Sequence, residues 1–207
     1  EEIGKKIGKD GTRYLVVPHG ITRPSISRKA LTKVEPNRVL LWMGSPNYRL
    51  DYQMLADVAD AFPDFTLQIV GPVVEANLRD QLPLFHALVK RKNVQLTGLV
   101  PHHELEKLIL NARLTLVTLR MDHHSNVLNS LKVPQYLSLG KPVVSTWLTA
   151  QKTAAKKGLI KMTHDPKAFV GLCKEFLEQP YLKGIKITPI IKHYKVFSEV
   201  NNVAIEH

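Results

Sequence analysis

From Arg38 onward the chain alternates between two hydrophobic periods. Five runs predict strands: the continuous apolar run Val39-Leu40-Leu41-Trp42-Met43, and residues 65–70, 94–97, 114–119 and 142–145. Continuous rather than alternating hydrophobicity marks a strand covered on both faces, as in a parallel sheet. Between the runs, apolar residues fall at helical spacing over 50–61 (Leu50, Met54, Leu55, Val58, Ala61), 84–89, 104–112 and 131–139. Two further helices, 150–156 and 166–178, flank a weaker strand at 159–162. Upstream, residues 14–18 form a short β-type run ended by a Pro-His-Gly turn, and 22–37 read as connecting loop. Downstream, 180–189 breaks the pattern before a last helix at about 190–200. The expected organisation is a linker or torn domain edge over 1–13, one α/β domain over 14–189, and a C-terminal helix and tail over 190–207.

Strict alternation of strand and helix implies βαβ crossovers, hence a Rossmann-like parallel sheet with helices on both faces. Ligands of such sheets bind at the carboxyl ends of the strands. Those ends are the loops after Met43, Val70, Thr97, Leu119 and Ser145, and three of the five open with glycine: Gly44, Gly71 and Gly98. A glycine there lets a phosphate approach backbone amides with no Cβ in the way. A tight strand-to-helix turn explains the same glycines.

Composition narrows the chemistry. The 207 residues suffice for one sizeable core. A single cysteine, Cys173, excludes an internal disulfide framework, fits a reducing cytosolic setting and reads as a small apolar group on a helix face. No apolar run approaches the roughly 18–20 residues that span a bilayer. The first residues are no signal peptide and carry no initiating Met, so the chain is expected to be part of something longer. The net charge of +11, from 29 basic against 18 acidic residues, calls for an anionic partner. The bases are scattered, with local density at 152–161 and 183–195, and the aromatics sit at core positions. That distribution disfavours nucleic acid, which is usually met by a basic stripe interleaved with exposed aromatics.

Several motifs can be set aside. There is no Gly-x-Gly-x-x-Gly, no Walker A lysine and no Gly-x-Ser-x-Gly elbow. His102-His103-Glu104 and Asp122-His123-His124 lack the partner spacing of a zinc site, since position 107 is lysine. The segment from Lys132 to Thr146 differs: a polar pair at a helix start, then Gly140, then a buried strand. A helix start offers free amides and partial positive charge to an anion, Lys132 adds a full charge, and Gln135 adds an amide one turn on. Pro134 fits only a first turn, which fixes the helix start near Lys132. An ordinary helix with an exposed Lys and Gln remains an equal reading of these residues.

In order along the chain stand Val17-Pro18-His19-Gly20-Ile21, Met43-Gly44-Ser45 with Asp51, Phe62-Pro63-Asp64-Phe65 running to Ile69-Val70-Gly71-Pro72, Asn93-Val94 to Thr97-Gly98, Val100-Pro101-His102-His103-Glu104-Leu105, and Lys132 to Thr146. Together they resemble the C-terminal, donor-binding domain of the GT-B glycosyltransferases over about residues 14–150. The resemblance implies two facing Rossmann-like domains, with a nucleotide sugar held mainly by this one. It implies a donor site of Met43, Gly44, Ser45, Gly71, Gly98, Leu119, Leu131, Lys132, Gln135 and Tyr136. It also implies no metal or other cofactor, no catalytic residue in this chain, and an acceptor domain outside it that supplies the general base. Gln135 departs from the ribose-holding glutamate of many members, and Val127 does not match the upstream acid of retaining ones. A Lys-x-x-Gln helix start is similar to that of xanthan glucuronosyltransferases. The expectation is therefore inverting transfer from a UDP-sugar, UDP-glucuronate, to a glycan or lipid-linked acceptor. The setting would be cytoplasmic, with peripheral contact to an anionic membrane. A degenerate, non-catalytic basic module binding anionic membrane or nucleic acid is the competing reading.

Overall fold

The structure, a computed structural model, describes residues 37–121 and 130–178. The expectations for 14–18, for 22–37 as far as residue 36, and for 180–207, with Asp122, His123, His124 and Val127, lie outside the described residues. Six strands are present: β1 (Val39–Met43), β2 (Thr66–Val70), β3 (Val94–Gly98), β4 (Leu114–Val117), β5 (Val143–Thr146) and β6 (Lys161–Thr163). The helices are α1 (Tyr52–Ala61), α2 (Leu82–Val89), α3 (His102–Asn111), α4 (Lys132–Ser138), α5 (Lys152–Lys156) and α6 (Pro166–Glu178). All neighbouring strands pair in parallel, in the order β3-β2-β1-β4-β5-β6. This is the doubly wound arrangement, in which strand order reverses between β1 and β4.

Helix α1 packs against α2 and α6, and α4 against β4 and β5. Right-handed crossovers then put α1, α2 and α6 on one face and α3, α4 and α5 on the other. Double cover explains the continuous apolar runs: Leu40, Leu41, Trp42 and Met43 of β1 are all buried. The edge strands are less covered: Gln95 and Leu96 of β3 are exposed, and every residue of β6 is only half-buried. Cys173 lies fully buried on α6, where burial pushes its thiol upward, as a small apolar group should.

Element boundaries moved where a side chain outcompetes the periodic pattern. The expected helix over 50–61 starts at Tyr52, because the Asp51 carboxylate accepts the Met54 N–H at 2.9 Å and caps it. The helix over 84–89 starts earlier, at Leu82, with Pro83 in its first turn. The helix over 104–112 starts at His102, directly after Pro101. The strand over 114–119 stops at Val117, since the Leu119 N–H turns to the Thr146 hydroxyl at 3.0 Å.

Lys141, 1% exposed, donates from Nζ to the Leu110 carbonyl at 2.5 Å, at the carboxyl end of α3. Burial, and then the neighbouring Arg113 charge, pull its pKa down from 10.5 to about 8. A base with a depressed folded pKa binds fewer protons folded than unfolded between those values, so its contribution to stability rises with pH through that window. Stability relative to a Lys141→Met variant should climb by about 2–3 kcal/mol from pH 7.5 to 10.5. Urea titrations of both chains across that range would check it. The variant cancels the opposite trend from the buried Cys173 thiol, and a flat difference would mean that the ammonium is fully satisfied where it lies.

Candidate functional site

The carboxyl edge of β1, β2 and β3 is a row of three glycines with positive φ: Gly44 (+123°), Gly71 (+140°) and Gly98 (+72°). Backbone hydrogen bonds stitch the row together, Gly44 N–H to Val70 O at 2.8 Å and Gly71 N–H to Gly98 O at 2.9 Å. Gly71 lies so close to the Gly44 peptide that a Cβ there would sit 2.2 Å from the Gly44 oxygen. Gly98 has open space around its Cβ direction and needs glycine only for its φ. Ser45 ties the first loop to the second by donating to the Pro72 carbonyl at 3.0 Å.

Next to this row the sheet opens. The ladder between β1 and β4 covers Leu40 and Leu41 only, so Trp42 and Met43 run past it at the switch point. The Met43 N–H left free on that side is taken by the Tyr136 hydroxyl at 3.0 Å. Tyr136 is fully buried, and burial pushes its phenol upward. It props the end of β1 from beneath.

One turn earlier on α4, at i−4 and so on the same helix face, stands Lys132. Its ammonium lies 5.1 Å from the Trp42 ring centre, a cation–π arrangement. A Cβ on Gly44 would lie 2.7 Å from Lys132 Cε and 3.0 Å from Nζ, so the lysine occupies the space that glycine leaves. Burial pulls the Lys132 pKa down, and among the described residues no carboxylate pairs with it. A largely desolvated ammonium without a counter-ion is costly, and an incoming anion recovers that cost.

The helix start offers less than its sequence suggests. Pro134 has no N–H, and the Val133 N–H is already bonded to Ser130 O at 3.3 Å. Helix α4 has only seven residues and no side-chain cap. Positive charge at this edge therefore rests on Lys132 rather than on amides. Gln135 is half-buried, and its side chain makes no hydrogen bond to another described residue. Leu131 is exposed at the entrance, and Leu119 lies buried at the end of β4, bridged to Leu50. Beside it Thr118 is fully buried, and its hydroxyl finds no partner among the described residues.

Trp42 is the residue that sequence reasoning missed. It reads as strand core, which it is, but its ring also carries the Lys132 ammonium. His102 and His103 sit exposed in the first turn of α3. Among the described residues no three His, Cys, Asp or Glu side chains converge as metal ligands would. No described helix is long and apolar enough to cross a membrane.

The sequence profile of the family described as "Glycosyl transferases group 1" matches residues 37–179. "Putative teichuronic acid biosynthesis glycosyltransferase TuaH" of Bacillus subtilis (strain 168) is 24% identical over 190 residues, covering 86% of this chain and 46% of that protein. Among solved structures, the sucrose-phosphate synthase of Thermosynechococcus elongatus superposes with a TM-score of 0.75 at 13% identity, over 99% of this chain and 54% of its own. S. aureus TarM, in complex with Fondaparinux, α-GlcNAc-glycerol and UDP, gives 0.72 at 12% identity, over 99% and 41%. Anabaena HepE, in complex with UDP and glucose, gives 0.67 at 14% identity, over 87% and 52%. At these identities the structures speak for the fold. The chain spans about half the length of the proteins it matches.

Proposed function

Because the chain belongs to the glycosyl transferases group 1 family, we propose that it is the donor-binding domain of a glycosyltransferase that uses a UDP-sugar. The observation that carries this reading is the Lys132 ammonium, largely buried against Gly44 at the switch point of the sheet and without a carboxylate partner among the described residues. In this reading the diphosphate lies along the glycine edge and Lys132 neutralises it. As the sugar leaves, the same charge stabilises the departing UDP. Lys132 thereby supplies the positive charge that a divalent ion would otherwise bring. Gln135 meets the ribose as a neutral donor and acceptor, weaker than a carboxylate.

The finer assignment is glucuronosyl transfer with inversion to a glycan or lipid-linked acceptor. The Lys132–Gln135 pattern, the net charge of +11 and the likeness to TuaH, whose name places it in teichuronic acid biosynthesis, support it. Inversion needs a base at the acceptor hydroxyl, which in this reading comes from a facing acceptor-binding domain. The basic surface suits an acidic donor and a lipid-linked acceptor at the anionic cytoplasmic face of a membrane.

Calorimetric titration of the chain with UDP, with ADP and GDP as controls, tests the reading. Selective UDP binding that EDTA leaves unchanged is expected. Lys132→Ala should weaken it by about 1.5–3 kcal/mol, roughly 10–150-fold, the range of a charge-assisted hydrogen bond. Unaltered affinity in the variant would remove Lys132 from the donor site, and binding to none of the nucleotides would favour the non-catalytic basic module.

A further inference from the structure

A second concentration of positive charge stands at the same edge of the sheet. Tyr48 and Arg49 lie in the loop after β1, Arg79 in the short turn Arg79–Gln81 after β2, and Arg120 in the loop after β4. The Arg79 guanidinium lies 3.9 Å from the Tyr48 ring centre and that of Arg49 lies at 5.5 Å. Arg49 Nε also donates to the Tyr48 hydroxyl at 3.2 Å. Arg120 reaches the Tyr48 carbonyl and the Asp80 carboxylate, each at 3.4 Å.

The loops are fixed rather than casually adjacent. Tyr48 N–H donates to Asn77 O at 2.8 Å, and Arg120 N–H donates to Arg49 O at 2.8 Å, locking the loops of β1, β2 and β4 together. Arg79 takes φ +51°, the only positive value at a non-glycine residue among those described. Non-glycine residues adopt that conformation in only a few per cent of cases. Two guanidinium groups thus lie against one aromatic ring while a third reaches the backbone carbonyl of the same residue, and among the described residues the only carboxylate paired with any of them is that of Asp80, on Arg120. Among the described residues, neither Arg49 nor Arg79 has a carboxylate partner. Tyr48 stands four positions after Gly44, so the two Cα atoms are within about 14 Å.

Mutually repelling arginines held at the ligand-binding edge of a parallel sheet suit an oxyanion. A guanidinium fork matches the two oxygens of a carboxylate, and stacking on Tyr48 orients the fork in advance. We propose that Arg49, Arg79 and Arg120 form a second anion subsite, separate from Lys132, that takes the carboxylate of a uronosyl group on the donor or on the acceptor glycan. The proposal rests on the donor-domain reading and extends it to the class of sugar handled.

An Arg49→Gln/Arg79→Gln double variant tests it, because both side chains are exposed and their loss threatens no core. In the donor arm, both chains are titrated with UDP, UDP-glucose and UDP-glucuronate. In the acceptor arm, they are titrated with methyl glucuronide and methyl glucoside, with and without UDP. The native chain should favour the glucuronate ligand in one arm, and that arm names the source of the carboxylate. The double variant should lose this preference by about tenfold or more while its UDP affinity stays within about twofold. Paired lysine replacements should restore only part, since they return charge without the fork. An equal loss of affinity for UDP itself would assign the arginines to the diphosphate and overturn the proposal, as would no carboxylate preference in either arm. A native chain that binds no UDP defeats the donor reading alone, because the methyl glucuronide titration without UDP still decides the subsite.

Discussion

Gly71→Ala should cost about 3–5 kcal/mol of stability, a large part of what a domain of this size possesses. Two separate penalties combine. A φ of +140° is closed to L-residues with a Cβ, and that Cβ would meet the Gly44 carbonyl oxygen at 2.2 Å and its carbon at 2.7 Å. Neither obstacle is a flexible side-chain end, so relief requires the loops after β1 and β2 to part. Gly98→Ala is the matched control, because φ there is +72° and nothing lies within 4 Å of the new Cβ. It should lose only the conformational term, about 1–2 kcal/mol. Urea unfolding followed by tryptophan fluorescence would resolve the two. Equal losses at both positions would show that the contact between the loops yields freely and that φ alone decides.

Some of this edge could be read from the residues and some could not. Strands β1 and β5 were legible because helices cover both of their faces, which leaves apolar runs such as Leu40-Leu41-Trp42 and Val143-Val144. The three loop glycines were legible as punctuation, but their mutual contact depends on β1, β2 and β3 being neighbours in that order. Asp51 interrupts a good helical period, and only its carboxylate on the Met54 N–H reveals a cap rather than an exposed turn. Lys132 read equally as a solvated lysine or as a ligand-binding one. What removes the ambiguity is non-local: placing β4 beside β1 carries α4 over Trp42 and Gly44, 90 and 88 positions away in the chain. Nothing in Gly140-Lys141-Pro142 announces an ammonium spent on the carboxyl end of α3. The arginines around Tyr48 are scattered over three loops and form no motif in the chain.

Gly44→Ala separates the lysine from its surroundings in a way that deleting the lysine cannot. Its Cβ would fall 2.7 Å from Lys132 Cε and 3.0 Å from Nζ, while Trp42 stays at an ordinary 3.5 Å. The lysine end is flexible, so it swings aside rather than forcing the fold apart, and stability falls only by the strain at φ +123°, about 1–3 kcal/mol. The charge leaves the glycine edge, and UDP affinity should drop by roughly as much as in Lys132→Ala, about 1.5–3 kcal/mol. The two changes should not add: in a Lys132→Ala background, Gly44→Ala should alter UDP binding by less than about 0.5 kcal/mol, because the group it displaces is already gone. Calorimetry on the four chains of that cycle, each first shown to be folded by its urea midpoint, makes the comparison. Full additivity would mean that Gly44 acts on the nucleotide directly, through backbone approach to the diphosphate, and that the contact between Gly44 and Lys132 is incidental to binding.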